Sequence, residues 1–397
     1  MFQHPLGPIP EIVAMQSDFA AIRQHIHQYP ELGFDERETS KLVASYLRQW
    51  GYQVHEGIGG TGVVGVLQAG DGQRAIGLRA DMDALPIEED NDLPYQSKHI
   101  GKMHACGHDG HTAMLLCAAR YLAEHRNFNG TLNLIFQPAE ETLSGALRMI
   151  DDGLFERFPC DAVYALHNAP GLPVGCFSAR SGTLGASSDQ AVIRLVGQGG
   201  HGAMPHLARD PIVAAAEMVL ALQTIVSRNI AATEAAVITV GALHAGDAPN
   251  VIPVHATLKL SIRAVDPEVR DHLRQRIHEV AQGVALIHGM ELEMDYRPLV
   301  SCLNNSVAET LLAQKVITSL VGAEKLITGP GKRSFGSEDF AWMLERKPGC
   351  YVAIGNGDGA ATGCEVHALH NPAYDFNDQI IAYGASYWAR LVQTYLV

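Results

Sequence analysis

Apolar residues recur at helical spacing from Glu11 to Tyr29 (Ile12, Phe19, Ile22, Ile26) and Pro30 ends the run, so an amphipathic helix is predicted there. A second helix is predicted from Glu36 to Trp50, with Gly51 placed to cap it. The pattern then shifts to short apolar runs, predicting strands at Val63–Leu67, Arg74–Ala80, Gly130–Phe136 and Asp161–Leu166, with a helix from His111 to His125 (Met114, Leu115, Ala118, Leu122) among them. The small, polar stretch Ser181 to Ser188 has linker composition. Beyond it come a strand at Ala191–Val196, a helix at Ile212–Ser227, strands at Ala236–Leu243 and His255–Arg263, a helix at Pro267–Ile287 and a strand at Glu291–Tyr296. This β-α-β-β-α-β order predicts a ferredoxin-like split unit inserted into the chain. The expected division is residues 1–185 and 297–397 for one α/β domain and 186–296 for the insert.

Length and charge narrow the class. At 397 residues the chain is long for one average domain. A formal net charge of -14 and the lack of any basic run argue against nucleic acid or an anionic membrane as partner. The start, Met1 to Pro5, carries no basic segment followed by an apolar one, and no uninterrupted apolar run reaches the roughly 18 residues of a membrane span. A soluble, cytoplasmic protein is expected. Seven cysteines, an odd number with no CxxC pair, fit a reducing compartment better than a disulfide framework.

Candidate chemistry concentrates at Met103-His104-Ala105-Cys106-Gly107-His108-Asp109-Gly110-His111, where one thiol, three imidazoles and a carboxylate share nine residues. A single buried histidine or cysteine is more often a core residue than a ligand, but this density is hard to explain by packing. Cys106 and His108, two apart, can point the same way. A thiolate beside an imidazole suits zinc, manganese, cobalt or nickel, with Asp109 and His111 as outer partners. The strand at Gly130–Phe136 runs into Glu140 and Glu141. Paired acids are usually surface charge, yet one of two neighbours can bind a metal while the other takes a proton from water. A further strand delivers His167 and Asn168. Arg79 to Pro86, rich in charge after a strand, is either a site at the carboxyl end of an open sheet or a solvated turn. Gly60 to Gly65 matches GxGxxG but runs into the strand-like Val63–Leu67 instead of a helix, which excludes a dinucleotide loop.

Taken together, MHACGHDGH, QPAEE, ALHN, GGHGAMPH, APNVIP, GSEDF and LHNP resemble the metal-dependent aminoacylase and carboxypeptidase superfamily. The branch they resemble holds hippurate hydrolases, N-acyl-amino-acid amidohydrolases and auxin-conjugate hydrolases. The resemblance covers nearly the whole chain. It implies a mixed-sheet dinuclear metallopeptidase-like catalytic domain, interrupted by a ferredoxin-like α+β lid that mediates dimerisation. It implies two divalent metal ions per subunit, manganese or zinc, with nickel or cobalt as alternatives. Their ligands would be Cys106, His108, Glu141, His167 and His370, with Glu140 as general base. Cys106 falls where the wider superfamily has a bridging aspartate. His201 resembles a lid histidine that completes the site from the partner subunit, Asn250 and Arg263 resemble lid residues that bind a substrate carboxylate, and Gly355 offers a close backbone contact. Glu338 and Asp339 would stand behind the ligands. The expected reaction is hydrolysis of a small N-acyl amino acid. The alternatives are a dipeptidase or carboxypeptidase of the same fold, a thiol hydrolase using Cys106 with His108 or His104, and a metal-binding protein without catalysis.

Overall fold

The computed structural model describes residues 5–329, 335–360 and 366–397; Met1 to His4, part of the start considered above, lie outside it. The chain divides into two compact units, Met1–Gly182, Asn304–Gly331 and Glu338–Val397 forming one, and Thr183–Leu303 with Lys332–Ser337 the other. Residues 183–185, 297–303 and 335–337, expected with the first domain, therefore cluster with the second.

The first unit is built on an eight-stranded mixed sheet, in the spatial order Gln53–Ile58, Gly62–Ala69, Gly130–Gln137, Ala75–Asp81, Ala162–Pro170, Gly349–Gly357, Phe177–Ser178 and Leu326–Ile327. Gly62–Ala69, which carries the GxGxxG letters, is a strand paired antiparallel on both sides. Ala75–Asp81 runs parallel to both Gly130–Gln137 and Ala162–Pro170, and Gly349–Gly357 runs parallel to the latter. Four neighbouring strands thus end on one edge of the sheet, where open α/β sheets build their sites. The helices Pro10–Gln28, His108–His125 and Ile381–Tyr395 pack on one another, with Phe19, Met114, Leu115, Tyr387 and Trp388 in a core continuous with the sheet.

Two boundaries differ from expectation in ways that matter for the site. The third helix begins at His108, one turn earlier than its apolar spacing indicates, because Gly107 takes a left-handed conformation (φ 88°) that turns the chain into the helix. His108 is therefore a helix residue, and only Cys106 remains in the loop before it. The strand expected to stop at Leu166 continues to Pro170, so His167 lies within it. The first unit gives way to the second within Ser181–Ser188, as its composition suggests, but the stretch is structured: Gly182–Gly185 is a strand and Ser187–Val196 another.

The second unit has a four-stranded antiparallel sheet in the order Ala236–Ala245, His255–Ala264, Ser187–Val196, Glu291–Val300, with helices Pro211–Asn229 and Pro267–Ile287 packed on it. Sequence order 2-3-1-4 in one sheet is the ferredoxin-like split arrangement. Among the described residues Pro211–Asn229 is long and apolar enough to cross a membrane by length and composition. Here it buries Ala214, Ala215, Met218, Leu222 and Ile225 in the core of the second unit.

Candidate metal centre

The edge formed by the four parallel strands brings five expected ligands into one place. The donor atoms of Cys106, His108 and His167 fall within 4.8 Å of one another, and so do those of Cys106, Glu141 and His370. Cys106 Sγ belongs to both sets, 3.5 Å from His167 Nε2. His370 Nε2 lies 3.5 Å from Glu141 Oε1, and its side chain is 51 % exposed where His108 is fully buried. His370 adopts φ 65°, uncommon for a residue with a side chain, and its N–H donates to Ala105 O, fixing it beside Cys106.

The surroundings orient these groups as ligands need. His108 Nδ1 lies 2.9 Å from Asp83 O and 3.2 Å from Asp83 Oδ1, which leaves Nε2 facing the cluster. His167 Nδ1 lies 2.7 Å from Asn168 O, which turns its Nε2 towards Cys106. Fixing one ring nitrogen this way presents the lone pair of the other. His108 Nε2 and Glu141 Oε1 are buried with no hydrogen-bond partner. Orphaned polar atoms are rare in folded interiors, and two aimed at one cluster with a thiol and two further imidazoles fit divalent metal ions. Asp83 also accepts the Glu141 N–H at 2.9 Å, so one carboxylate steadies two ligands.

Charge at the site is unbalanced in favour of acids. Burial pushes Glu140 well above the usual carboxylate range, and the nearby Glu338, Asp339 and Glu141 push it further. Burial also pushes the Cys106 thiol up to about 12, the reverse of what an activated thiol nucleophile requires. Adjacent divalent cations would reverse both trends. His104 is buried with neither ring nitrogen hydrogen-bonded, and burial lowers it to about 3, so it is neutral.

Arg79 and Asp81, to which the sequence assigns no role, organise the layer behind together with His111, which was expected there. Arg79 is 2 % exposed and donates to Gln137 Oε1, Asp81 Oδ2, Glu338 Oε1 and Asp339 Oδ1. An arginine two residues before the end of a wholly buried strand was the available signal. Burial would raise Asp81, but Arg79, His108 and His111 hold it well below the carboxylate range. His111 has Nδ1 2.6 Å from Asp81 and Nε2 2.6 Å from Asn168 Oδ1, so both nitrogens are engaged and it stands behind the ligands. Asp109, expected in the same layer, faces Arg23 and His27 instead.

The other expected site residues lie elsewhere. Gly355 donates its N–H to Cys176 O, and a Cβ there would meet Pro173 O at 2.1 Å, so its glycine answers a close approach of the chain to itself. In the second unit, exposed His201 pairs with Val251, and Gly202 N–H donates to Asn250 O. Arg263 donates to Phe335 O and to Ser337 Oγ. His201 and Asn250 lie near the His255 end of the strand His255–Ala264, and Arg263 near the other. Eight residues of strand separate these ends by about 26 Å. Asn250 and Arg263 thus lie near opposite ends of that strand.

Residues 77–394 match the sequence profile of Peptidase family M20/M25/M40. The chain is 46% identical over 388 residues to a hippurate hydrolase of Campylobacter jejuni, covering 98% of this chain and 99% of that one. It is 38% identical over 369 residues to an N-acetyl-L-cysteine deacetylase of Bacillus subtilis, covering 92% and 85%. Among solved structures, a dinuclear metal binding peptidase of the M20 family from Bacillus subtilis superposes with a TM-score of 0.82 at 30% identity, covering 97% of this chain and 99% of the other.

Proposed function

The chain belongs to Peptidase family M20/M25/M40, and from that premise we propose that it is a metal-dependent amidohydrolase acting on N-acyl amino acids. Water and the amide yield a carboxylic acid and a free amino acid. The observation that carries this reading is the placing of Cys106 in two donor sets at once, with the carboxylate Glu140, which belongs to neither of these two, beside them. A protein that only stored metal would have no use for a buried base next to its ligands.

Cys106, His108 and His167 would hold one divalent cation, and Cys106, Glu141 and His370 the other, with Cys106 shared; manganese or zinc suits this mixed thiolate, imidazole and carboxylate set. Such ions supply a Lewis acid for the amide carbonyl. Glu140 takes the proton from the attacking water and passes it to the leaving amine. His201, an exposed imidazole on a glycine-flanked turn, donates to the developing oxyanion. Because Asn250 lies near one end of the strand His255–Ala264 and Arg263 near the other, the reading assigns them to different subunits of a homodimer. Arg263 pairs with the substrate carboxylate in its planar fork, and the partner subunit's His201 and the partner subunit's Asn250 complete the site. Gly355 is kept only as a shaping residue. The enzyme would work in the cytoplasm on small molecules.

The test is hydrolysis by metal-loaded protein of N-acetyl, N-benzoyl, longer-chain acyl and indole-acetyl amino acids, set against aminoacyl dipeptides. Turnover of acyl substrates well above dipeptides supports the reading; preference for a free amine would make the enzyme a dipeptidase.

A further inference from the structure

The base-bearing loop has an unusual backbone. Ala139, immediately before Glu140, has φ 53° and Leu143 φ 56°, both in the left-handed region that side chains disfavour. Such a conformation persists only where the surroundings over-determine it. Here the determinant is identifiable. Ala139 O accepts the Gly145 N–H at 3.1 Å and the Thr142 hydroxyl at 3.0 Å. Ala139 N–H donates to Glu36 Oε1 at 2.8 Å, while Thr61 Oγ1 donates to Glu36 Oε2 at 2.5 Å. Glu36 is fully buried, more than a hundred residues away in sequence, and touches no expected ligand.

Glu36 ends a short strap between the first two helices that reaches both loops of the site. At its start, Glu31 O accepts the Ala84 N–H at 2.8 Å and Leu32 bridges Ala84, next to Asp83. In its middle, Gly33 lies so close to the base-bearing loop that a Cβ on it would stand 3.0 Å from both Cα and Cβ of Ala139. At its end, the Glu36 carboxylate takes the Ala139 N–H. A turn of the chain at Ala139 swings Glu140 towards the cluster, and without the Glu36 acceptor that N–H would be buried and unpaired, favouring relaxation to an ordinary φ.

We propose that Glu36 is a positioning residue for the reaction, holding Ala139 in its left-handed conformation so that Glu140 meets the attacking water in the correct geometry. The inference rests on Glu140 being the general base. Glu141 has its own anchor, the Asp83 carboxylate on its N–H, so metal retention is independent of Glu36.

The experiment measures kcat, KM, metal content and thermal midpoint for Glu36→Ala, Glu36→Gln, Ala139→Gly and Glu36→Ala/Ala139→Gly in the full-length, metal-loaded enzyme. Glu36→Ala lowers kcat on the order of 100-fold, the loss expected from misplacing a reacting group by about an ångström, with KM and metal content little changed. Glu36→Gln, whose amide oxygen still accepts from Ala139, stays within a few-fold of wild type. Glycine at 139 adopts positive φ without help, so the double variant recovers most of the lost kcat although it is no more stable. If Glu36→Ala does not fold, Glu36→Asp withdraws the carboxylate by one methylene, and the same loss and the same rescue by Ala139→Gly are expected. Unchanged kcat, no rescue by glycine, or loss of metal together with kcat would each overturn the proposal. Failure of the underlying reading gives a different result, namely near-normal turnover in Glu140→Gln.

Discussion

At the scale of single residues, the site separates groups that hold from groups that react. Glu140 and Glu141 are adjacent, the first buried and the second partly so, yet only Glu141 joins the donor set that contains Cys106 and His370. Glu140→Gln is expected to keep both metals and lose about 100-fold to 10,000-fold in kcat, the range for removal of a general base. Loss of metal, with turnover recovered at excess metal, would mean that the two glutamates exchange roles. The clustered donors could be picked out in the sequence because metal chemistry restricts ligands to a few residue types, and several fell together in MHACGHDGH. Arg79 could not, since its meaning comes from Glu338 and Asp339, more than 250 residues on, folded against it. Glu36 was hidden for the same reason: its partner is a backbone N–H, which carries no residue identity.

At the scale of elements, the first helix is tied to the ligand-bearing loop by buried charge. Arg23 and His27, both fully buried, face Asp109, Glu89, Asp375 and Asp378. Burial alone would lower His27, but hydrogen bonds to Asp109 and Glu89 outweigh it and raise it to about 9. A histidine raised in the folded state contributes stability that is present in full below its unfolded pKa, near 6.5, and is lost as pH rises through the folded value. The difference amounts to about 3 kcal/mol at most. The urea midpoint of wild type should therefore fall from pH 6.5 to pH 9.5 more steeply than that of His27→Gln. Parallel slopes would show that His27 is not charged in the folded protein. Helix and strand positions were largely legible because apolar periodicity reports burial. What was not legible was where hydrogen bonding extends an element past its apolar run, as at His167, or builds strands from small polar residues, as at Gly182–Gly185.

At the scale of the whole molecule, the test concerns His201 of the second unit. If His201 acts across a dimer, mixing His201→Ala with Glu140→Gln restores activity in hybrid dimers, whereas each parent alone is depressed, His201→Ala by about 100-fold to 1000-fold as for loss of an oxyanion donor. No recovery after verified subunit exchange would put His201 in its own subunit's site. Replacing the substrate carboxylate by a methyl amide should cost about 2–4 kcal/mol in transition-state stabilisation. Arg263→Ala should show that loss with the acid and little more with the amide, and independent, additive losses would free Arg263 from the carboxylate. The ferredoxin-like order was legible from element sequence alone, but that Asn250 and Arg263 lie near opposite ends of one strand follows from register. The central claim is that a shared Cys106 and four further ligands hold the two cations on which Glu140 chemistry depends. Its most direct measurement is hydrolysis of N-benzoylglycine as divalent metal is titrated into chelated protein, wild type beside Cys106→Ala. The account predicts no activity without metal, full activity at two equivalents per subunit and weakened binding in the variant; activity that survives chelation, or a variant that binds metal as wild type does, would contradict it.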